Sequence, residues 1–122
     1  MAGLVLVCAL VLAVPSVAKI LKGTRGDDTL VGGNRGDQLL GKRGDDVLRG
    51  RKGSDLLIGN SGNDVIKGGK GFDEIRAGKG NDRILARDSK RDQIDCGAGL
   101  DKAVVDRNED GIFNCERVRV RG

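Results

Sequence analysis

The sequence predicts an all-β fold, a parallel β-solenoid in which short strands and tight turns alternate along the chain. One indication is a strict nine-residue period in aspartate. Seven aspartates follow this period: Asp28, Asp37, Asp46, Asp55, Asp64, Asp73 and Asp82. A large aliphatic residue stands two positions after each of them: Leu30, Leu39, Leu48, Leu57, Ile66, Ile75 and Ile84. The composition agrees, because a chain of 122 residues with 21 Gly, two Phe and no Trp or Tyr cannot build an ordinary layered core.

The first 18 residues differ from the rest and indicate an export signal. Leu4 to Val14 is an uncharged apolar run of eleven residues, whereas a membrane-spanning helix needs about 20. Small residues at Ser16 and Ala18 suit signal-peptidase cleavage before Lys19. We therefore expect a signal peptide at 1–18, rather than a buried structural helix, and a secreted mature chain without stable membrane insertion.

One repeat unit, Gly59 to Lys67, shows how the period becomes structure. It reads Gly-Asn-Ser-Gly-Asn-Asp-Val-Ile-Lys. The residues at its first six places favour turns. The last three form a minimal strand, in which Ile66 faces inward while its two neighbours face outward. Because one unit cannot bury its aliphatic residue alone, units must stack.

Two units per coil produce two facing parallel sheets and two columns of sixth-place aspartates. Leu30, Leu48, Ile66 and Ile84 would stack in one sheet, and Leu39, Leu57 and Ile75 in the other. Asp28, Asp46, Asp64 and Asp82 would line one edge, and Asp37, Asp55 and Asp73 the other. Strands lie about 4.8 Å apart, so these carboxylates would repel one another unless a cation lay between them. No basic residue keeps a fixed place in the repeat, and Ca²⁺ prefers an oxygen-only shell of this kind.

The unit resembles the nonapeptide of the RTX, or hemolysin-type, calcium-binding proteins, Gly-Gly-x-Gly-x-Asp-x-large apolar-x. The match is close from Gly23 to Leu85 and looser from Ala86 to Val104. The resemblance implies a parallel β-roll over residues 19–104, with calcium held between successive turns by sixth-place Asp side chains and turn carbonyls. The implied ligands are Asp28, Asp37, Asp46, Asp55, Asp64, Asp73, Asp82 and Asp101. Asp92 is a weaker continuation, because it comes ten residues after Asp82 and its turn has no glycine.

The chain is basic overall, with a net charge of +4. Its second and third repeat places are often basic: Lys42, Arg43, Arg51, Lys52, Lys70 and Lys79. We expect these side chains to point outward, where they either offset the Asp columns and aid solubility or form a polyanion-binding rim. Nucleic acid is not an expected partner, because no aromatic residues are interleaved for base stacking.

Residues 105–122 are predicted to form a C-terminal cap. Two cysteines, Cys96 and Cys115, remain after signal cleavage, and an even number in an exported chain favours a disulfide. The stretch from Asp106 to Gly111 matches the first half of an EF-hand loop, but the twelfth place is Arg117 instead of Glu. The run from Asp106 to Glu116 also resembles the extracellular "excalibur" calcium motif, with one extra residue before the cysteine. A calcium loop and a purely structural disulfide-closed cap both remain open.

These features favour a secreted calcium-binding β-roll whose folding is driven by calcium and which has no catalytic role. The chain has no His, and its clustered carboxylates already have a structural use, so an enzyme is not expected. Calcium is the one predicted partner, and the sequence does not identify a protein partner.

The alternative is an extracellular adhesion or polyanion-binding surface protein. Arg-Gly-Asp begins at Arg25, Arg35 and Arg43, with gaps of ten and eight, so the tripeptide does not follow the nine-residue period. Gly26 and Gly44 are expected inside packed turns, which disfavours presentation of the tripeptide on a free loop.

Overall fold

The computed structural model describes residues 18–88, 90–106 and 111–121. The predicted signal peptide, apart from Ala18, lies outside the described residues. The described chain forms twelve strands. They are β1 (Ile20–Lys22), β2 (Thr29–Val31), β3 (Gln38–Arg43), β4 (Val47–Lys52), β5 (Leu56–Ser61), β6 (Val65–Lys70), β7 (Glu74–Lys79), β8 (Arg83–Ala86), β9 (Gln93–Asp95), β10 (Lys102–Val105), β11 (Ile112–Phe113) and β12 (Arg117–Val120).

Successive strands alternate between two parallel sheets. The odd-numbered strands form sheet A in the order β1-β3-β5-β7-β9-β11, and the even-numbered strands form sheet B in the order β12-β10-β8-β6-β4-β2. Leu48 pairs with Leu30 on one side and with Ile66 on the other, so one coil takes eighteen residues. This arrangement confirms the predicted parallel β-solenoid.

The core is the predicted pair of aliphatic columns. From Leu39 to Ile84 every column member is fully buried, and Ile94 and Ala103 continue the two columns. The pairing of Ile75 with Ile94 shows that this coil takes nineteen residues, because the turn before Asp92 carries one extra residue. The inward columns therefore keep their register through the irregular repeat.

The central strands are longer than the predicted three residues. Strands β3 to β7 each span six residues and include the first three turn places. In this region Lys42 pairs with Asn60 and Arg43 with Ser61. The strands are longer because turns of equal length stack on one another, so parallel pairing continues around the corner.

The C-terminal residues continue both sheets, since β11 pairs with β9 and β12 with β10. The predicted disulfide between Cys96 and Cys115 is confirmed, with a Cα–Cα distance of 5.1 Å. Residues 107–110 of the EF-hand-like stretch lie outside the described residues. In the described part of the chain, no helix is long and apolar enough to cross a membrane.

Candidate metal centre

The sixth-place aspartates form two buried hydrogen-bond ladders, one along each edge of the solenoid. The backbone N–H of one Asp donates to Oδ1 of the Asp one coil later, as from Asp46 to Asp64 at 2.8 Å and from Asp55 to Asp73 at 2.9 Å. The first ladder contains Asp28, Asp46, Asp64, Asp82 and Asp101. The second contains Asp37, Asp55, Asp73 and Asp92. The structure therefore brings the eight predicted site residues together in these two columns.

Two ladder members go beyond the sequence prediction. Asp92 is fully buried and accepts the Asp73 N–H at 2.8 Å, so it lies in full register despite its irregular turn. Glu116 ends the first ladder, because its Oε2 accepts the Asp101 N–H at 2.9 Å. The signal that was overlooked is the spacing from Glu116 to Val118, which repeats the acid-x-aliphatic spacing of the nonapeptide.

The second carboxylate oxygen, Oδ2, divides the turns into two classes. In residues 23–28 and 32–37, which we call the closed turns, Oδ2 of Asp28 accepts the Thr24 N–H and Oδ2 of Asp37 accepts the Gly33 N–H, both at 2.6 Å. In the six turns that we call open, Oδ2 is buried and has no hydrogen-bond partner among the described residues. The open turns are 41–46, 50–55, 59–64, 68–73, 77–82 and 96–101, and their acids are Asp46, Asp55, Asp64, Asp73, Asp82 and Asp101.

The backbone explains this division. In every open turn the second and fourth places have a left-handed φ. The second places are Lys42, Arg51, Asn60, Gly69, Gly78 and Gly97, and the fourth places are Gly44, Gly53, Gly62, Gly71, Gly80 and Gly99. Neither place is left-handed in the closed turns, where the second-place N–H reaches the carboxylate. A left-handed non-glycine residue costs roughly 1–2 kcal/mol, so the open conformation persists only where its surroundings enforce it.

Backbone carbonyl oxygens approach the same carboxylates. A Cβ atom placed on Gly41 would lie 2.5 Å from Oδ2 of Asp46 and 3.0 Å from the carbonyl oxygen of Gly59. A Cβ on Gly59 would likewise meet Oδ2 of Asp64 and the carbonyl oxygen of Ala77. An acid oxygen of one coil and a carbonyl oxygen of the next therefore converge over the first-place residue. Such an oxygen-only donor set suits calcium.

Side chains alone do not complete a coordination shell. Within residues 18–88, 90–106 and 111–121, no three Asp, Glu or Cys side chains converge as a metal-binding group. A cation in an open turn would therefore depend on backbone oxygens as well as on the ladder carboxylates. The left-handed backbone of the open turns is consistent with such a role for the backbone oxygens.

Burial raises the pKa of the open-turn acids. Desolvation is the main cause, and it raises the pKa of Asp73 and Asp82 to about 7 and that of Asp46 and Asp55 to about 6. Neighbouring carboxylates add to the rise in each case. The pKa values of the remaining two acids, Asp64 and Asp101, are raised for the same leading reason. A nearby cation would lower these raised pKa values and keep Asp73 and Asp82 fully ionised at neutral pH.

The Arg-Gly-Asp tripeptides take up two different positions in the repeat. Asp37 is only 2% exposed, which removes the second tripeptide from solvent. The other two acids form an outer ladder, in which Asp27 accepts the Asp45 N–H at 2.7 Å and Asp45 accepts the Asn63 N–H at 2.8 Å. The expectation that Gly26 lies inside a packed turn is wrong, since this glycine is exposed in the first turn of the roll. Gly44 is half-buried, and a Cβ on it would meet the Gly26 backbone.

The basic side chains of the turns point outward as predicted. All six are exposed: Lys42, Arg43, Arg51, Lys52, Lys70 and Lys79. They therefore do not supply the counter-charge between the buried carboxylates. The need for a cation inside the open turns remains.

A parallel solenoid with buried acid ladders and carbonyl-lined turns defines the class of calcium-binding β-rolls. The family model of the RTX calcium-binding nonapeptide repeat matches this chain in four copies, over residues 20–34, 31–66 and 58–88. These matches cover more than half of the chain, and the chain belongs to that family, whose repeats bind Ca²⁺. A comparison with curated proteins found no match.

Proposed function

We propose that this protein is a secreted β-roll whose folding is driven by calcium, with the ions held in the open turns. The observation that supports this assignment best is the row of buried Oδ2 atoms without a partner. At Asp46, Asp55 and Asp64 a carbonyl oxygen of the next coil lies close to the same place. The proposed ligands are Asp46, Asp55, Asp64, Asp73, Asp82 and Asp101, together with backbone carbonyls. In the proposed organisation, a signal peptide (1–18) precedes a roll (19–104) and a cap (105–122), and the chain has no catalytic role.

The free energy of folding without metal is unfavourable for two reasons. Stacked carboxylates such as Asp55 and Asp73 lose hydration and repel each other in the folded roll. The many glycines also raise the conformational entropy of the unfolded chain. Bound calcium offsets both effects, so metal binding and folding are coupled. A chain exported into millimolar calcium would then fold after it leaves the cell.

Asp28 and Asp37 differ from the other sequence-predicted ligands. Both side-chain oxygens of each already accept hydrogen bonds. Those of Asp28 accept the N–H and the hydroxyl of Thr24, and those of Asp37 accept backbone N–H groups. Oδ1 of Asp37, for example, accepts the Lys19 N–H at 2.8 Å. We infer that these two acids close the N-terminal end of the roll and contribute less to calcium binding than the open-turn acids do.

Calcium titration of the mature chain by calorimetry tests the binding, with Asp64→Asn and Asp73→Asn as site variants. We expect endothermic or exothermic binding in the micromolar to millimolar range and a smaller number of sites in each variant. An absence of binding at millimolar calcium would refute the proposal.

Export has a separate test in the mass of the protein recovered from the culture medium. A chain that begins at Lys19 and carries one disulfide is expected. Recovery of the full-length chain only from the cell interior would contradict the proposed secretion without affecting the calcium assignment.

A further inference from the structure

The outer surfaces of the two sheets differ in charge. We define the sheet B face by the outward side chains of the even-numbered strands, which pair in two columns. One column is Thr29, Val47, Val65, Arg83, Lys102 and Arg117, and the other is Val31, Arg49, Lys67, Leu85, Val104 and Arg119. Six of these twelve residues are basic and none is acidic.

The six cations are solvent-exposed, and none of them has a carboxylate within ion-pair distance among the described residues. The outward side of sheet A is the natural comparison. It carries two basic residues, Lys22 and Arg76, and two acidic ones, Glu74 and Asp95, and Arg76 pairs with Glu74 at 2.5 Å. Of the two sheet surfaces, only that of sheet B therefore carries an excess of positive charge.

The C-terminal half of the sheet B face is a trough of about 620 Å³. Arg83, Lys102 and Arg117 line it from three consecutive paired strands, with Leu85 and Val104 half-buried beside them. The one carboxylate among the lining residues is Glu116. It is already engaged, because it accepts the Asp101 N–H.

We propose that the sheet B face binds a carboxylated polysaccharide that lies along the solenoid axis. Each even-numbered strand from β4 to β12 carries at least one outward cation, so cations recur along the axis at the strand spacing of about 4.8 Å. A linear polyuronate that lies along this row therefore meets a cation wherever its twist turns a carboxylate towards the sheet. Arginine guanidinium groups pair with carboxylates through two parallel hydrogen bonds, which gives such a row specificity as well as attraction. This surface is separate from the basic turn residues that the sequence suggested as a polyanion-binding rim.

Two other anionic partners fit less well. Single-stranded nucleic acid binds through stacking on aromatic side chains, and the chain's two phenylalanines, Phe72 and Phe113, lie beside sheet A. A flat anionic bilayer does not match a trough that is lined with charge along its length.

The test uses the mature chain in saturating calcium, so that the roll is folded, and an oligogalacturonate too short to gel with calcium as the probe. The face variant is Arg83→Gln/Lys102→Gln/Arg117→Gln. The control is Arg43→Gln/Lys52→Gln/Lys70→Gln, which removes the same charge from the turns and leaves the left-handed second and fourth places unchanged. We expect the face variant to weaken the Kd at least about tenfold, while the control changes it by less than about twofold.

Circular dichroism during a calcium titration checks that both variants fold. We expect both to show the calcium midpoint of the wild type, so that a change in Kd reports on sugar binding alone. If the face variant fails to fold, Arg49→Gln/Lys67→Gln replaces it on the same face. Equal losses in face and control variants would mean attraction by net charge only and would overturn the proposal. So would an absence of binding by the wild type, or tighter binding to single-stranded DNA or to phosphatidylglycerol vesicles. Failure of this test leaves the calcium assignment untouched, since calcium binding is measured without the sugar.

Discussion

The closed turns at the N-terminal end and the open turns of the remaining roll contain the same acid at the same place. They differ in the hydrogen bonds that its carboxylate accepts. In a closed turn, as at Asp37, both carboxylate oxygens accept backbone N–H groups. In an open turn, as at Asp64, only Oδ1 does so, and Oδ2 is buried without a partner. The difference lies in the backbone, since left-handed residues occur at the second and fourth places of the open turns only.

Position in the stack explains this difference better than the sequence of the turn. Among the described residues, each closed turn is the first on its edge of the roll, whereas each open turn lies against a preceding turn. A Cβ on Gly44 would meet the Gly26 carbonyl, and one on Gly62 would meet the Gly44 carbonyl. A neighbouring turn therefore holds the left-handed backbone in place and leaves an acid oxygen available for a cation. If calcium binds in the open turns, as proposed, such a roll has fewer sites than repeats.

Fourth-place glycines should show the largest contrast. Gly62 has φ +123°, and a Cβ there would collide with the Gly44 carbonyl, whereas Gly26 has open space around it, with Thr24 Oγ1 nearest at 3.8 Å. We expect Gly62→Ala to cost roughly 3 kcal/mol or more and to prevent folding at millimolar calcium, while Gly26→Ala has little effect. Circular dichroism during a calcium titration measures both. Similar midpoints for the two variants would break the distinction between turn classes.

Replacement of the ladder acid should give the next largest effect. Asp64→Asn keeps an oxygen that can accept the Asp46 N–H but removes the charge, and Asp28→Asn does the same in a closed turn. If calcium binds in open turns, Asp64→Asn should raise the calcium midpoint about tenfold, equivalent to about 1.4 kcal/mol, and Asp28→Asn much less.

Asp45→Asn serves as a further control for this pair, because Asp45 lies outside the nine-residue period and contributes one hydrogen bond to Asn63. Its amide oxygen can still accept that bond, so we expect a midpoint close to that of the wild type. Equal midpoints for Asp64→Asn and Asp45→Asn would mean that the nine-residue assignment of the ligands is wrong.

The open-turn acids also predict how the metal-free chain responds to pH. Burial raises the pKa of Asp73 and Asp82 to about 7 in the roll, above the value of 3.8 for an exposed group. A raised folded pKa means that the roll binds protons more tightly than the unfolded chain, so its free energy of unfolding increases as the pH falls from about 7 towards 4. A chelator-treated sample should therefore gain β-structure at pH 5 relative to pH 7.5. Identical spectra at the two pH values would contradict this linkage.

The disulfide should have the smallest effect, because it acts on the last open turn only. The Cys96–Cys115 bond closes a loop with a sequence separation of 19, so its reduction raises the chain entropy of the C-terminal end and leaves the central coils unchanged. We expect reduction to raise the calcium midpoint several-fold without preventing binding in the central turns. Mass spectrometry establishes the starting state. Two free thiols in the secreted protein would refute this account of the C-terminal end.

The period of the sequence was sufficient to predict the solenoid, its two sheets, the buried aliphatic columns and the Asp ladders. Each of these depends on a residue type that recurs at a fixed place, such as Ile66 or Asp64. The disulfide was also predictable, because only two cysteines follow the signal segment.

The two turn classes were not predictable from the repeat. Gly26 and Gly44 occupy the same place of near-identical units, but only Gly44 has a preceding turn to pack against and a left-handed φ. Asp92 was also underestimated from the sequence, and it lies in the ladder directly beside Asp73. The neighbouring coil fixes its position, although its turn contains one extra residue. The repeat period shows which residues recur, but it does not show which turns have a neighbouring coil to pack against.

Far-UV circular dichroism of the mature chain, with and without calcium, tests the central claim most directly. The buried, partnerless Oδ2 atoms of the open turns predict a largely unfolded spectrum in chelator and a β-sheet spectrum in millimolar calcium. Magnesium at the same concentration should not substitute, because it requires a smaller octahedral shell. A chelator-treated sample with the same β-sheet spectrum at neutral pH as the calcium form would contradict calcium-driven folding.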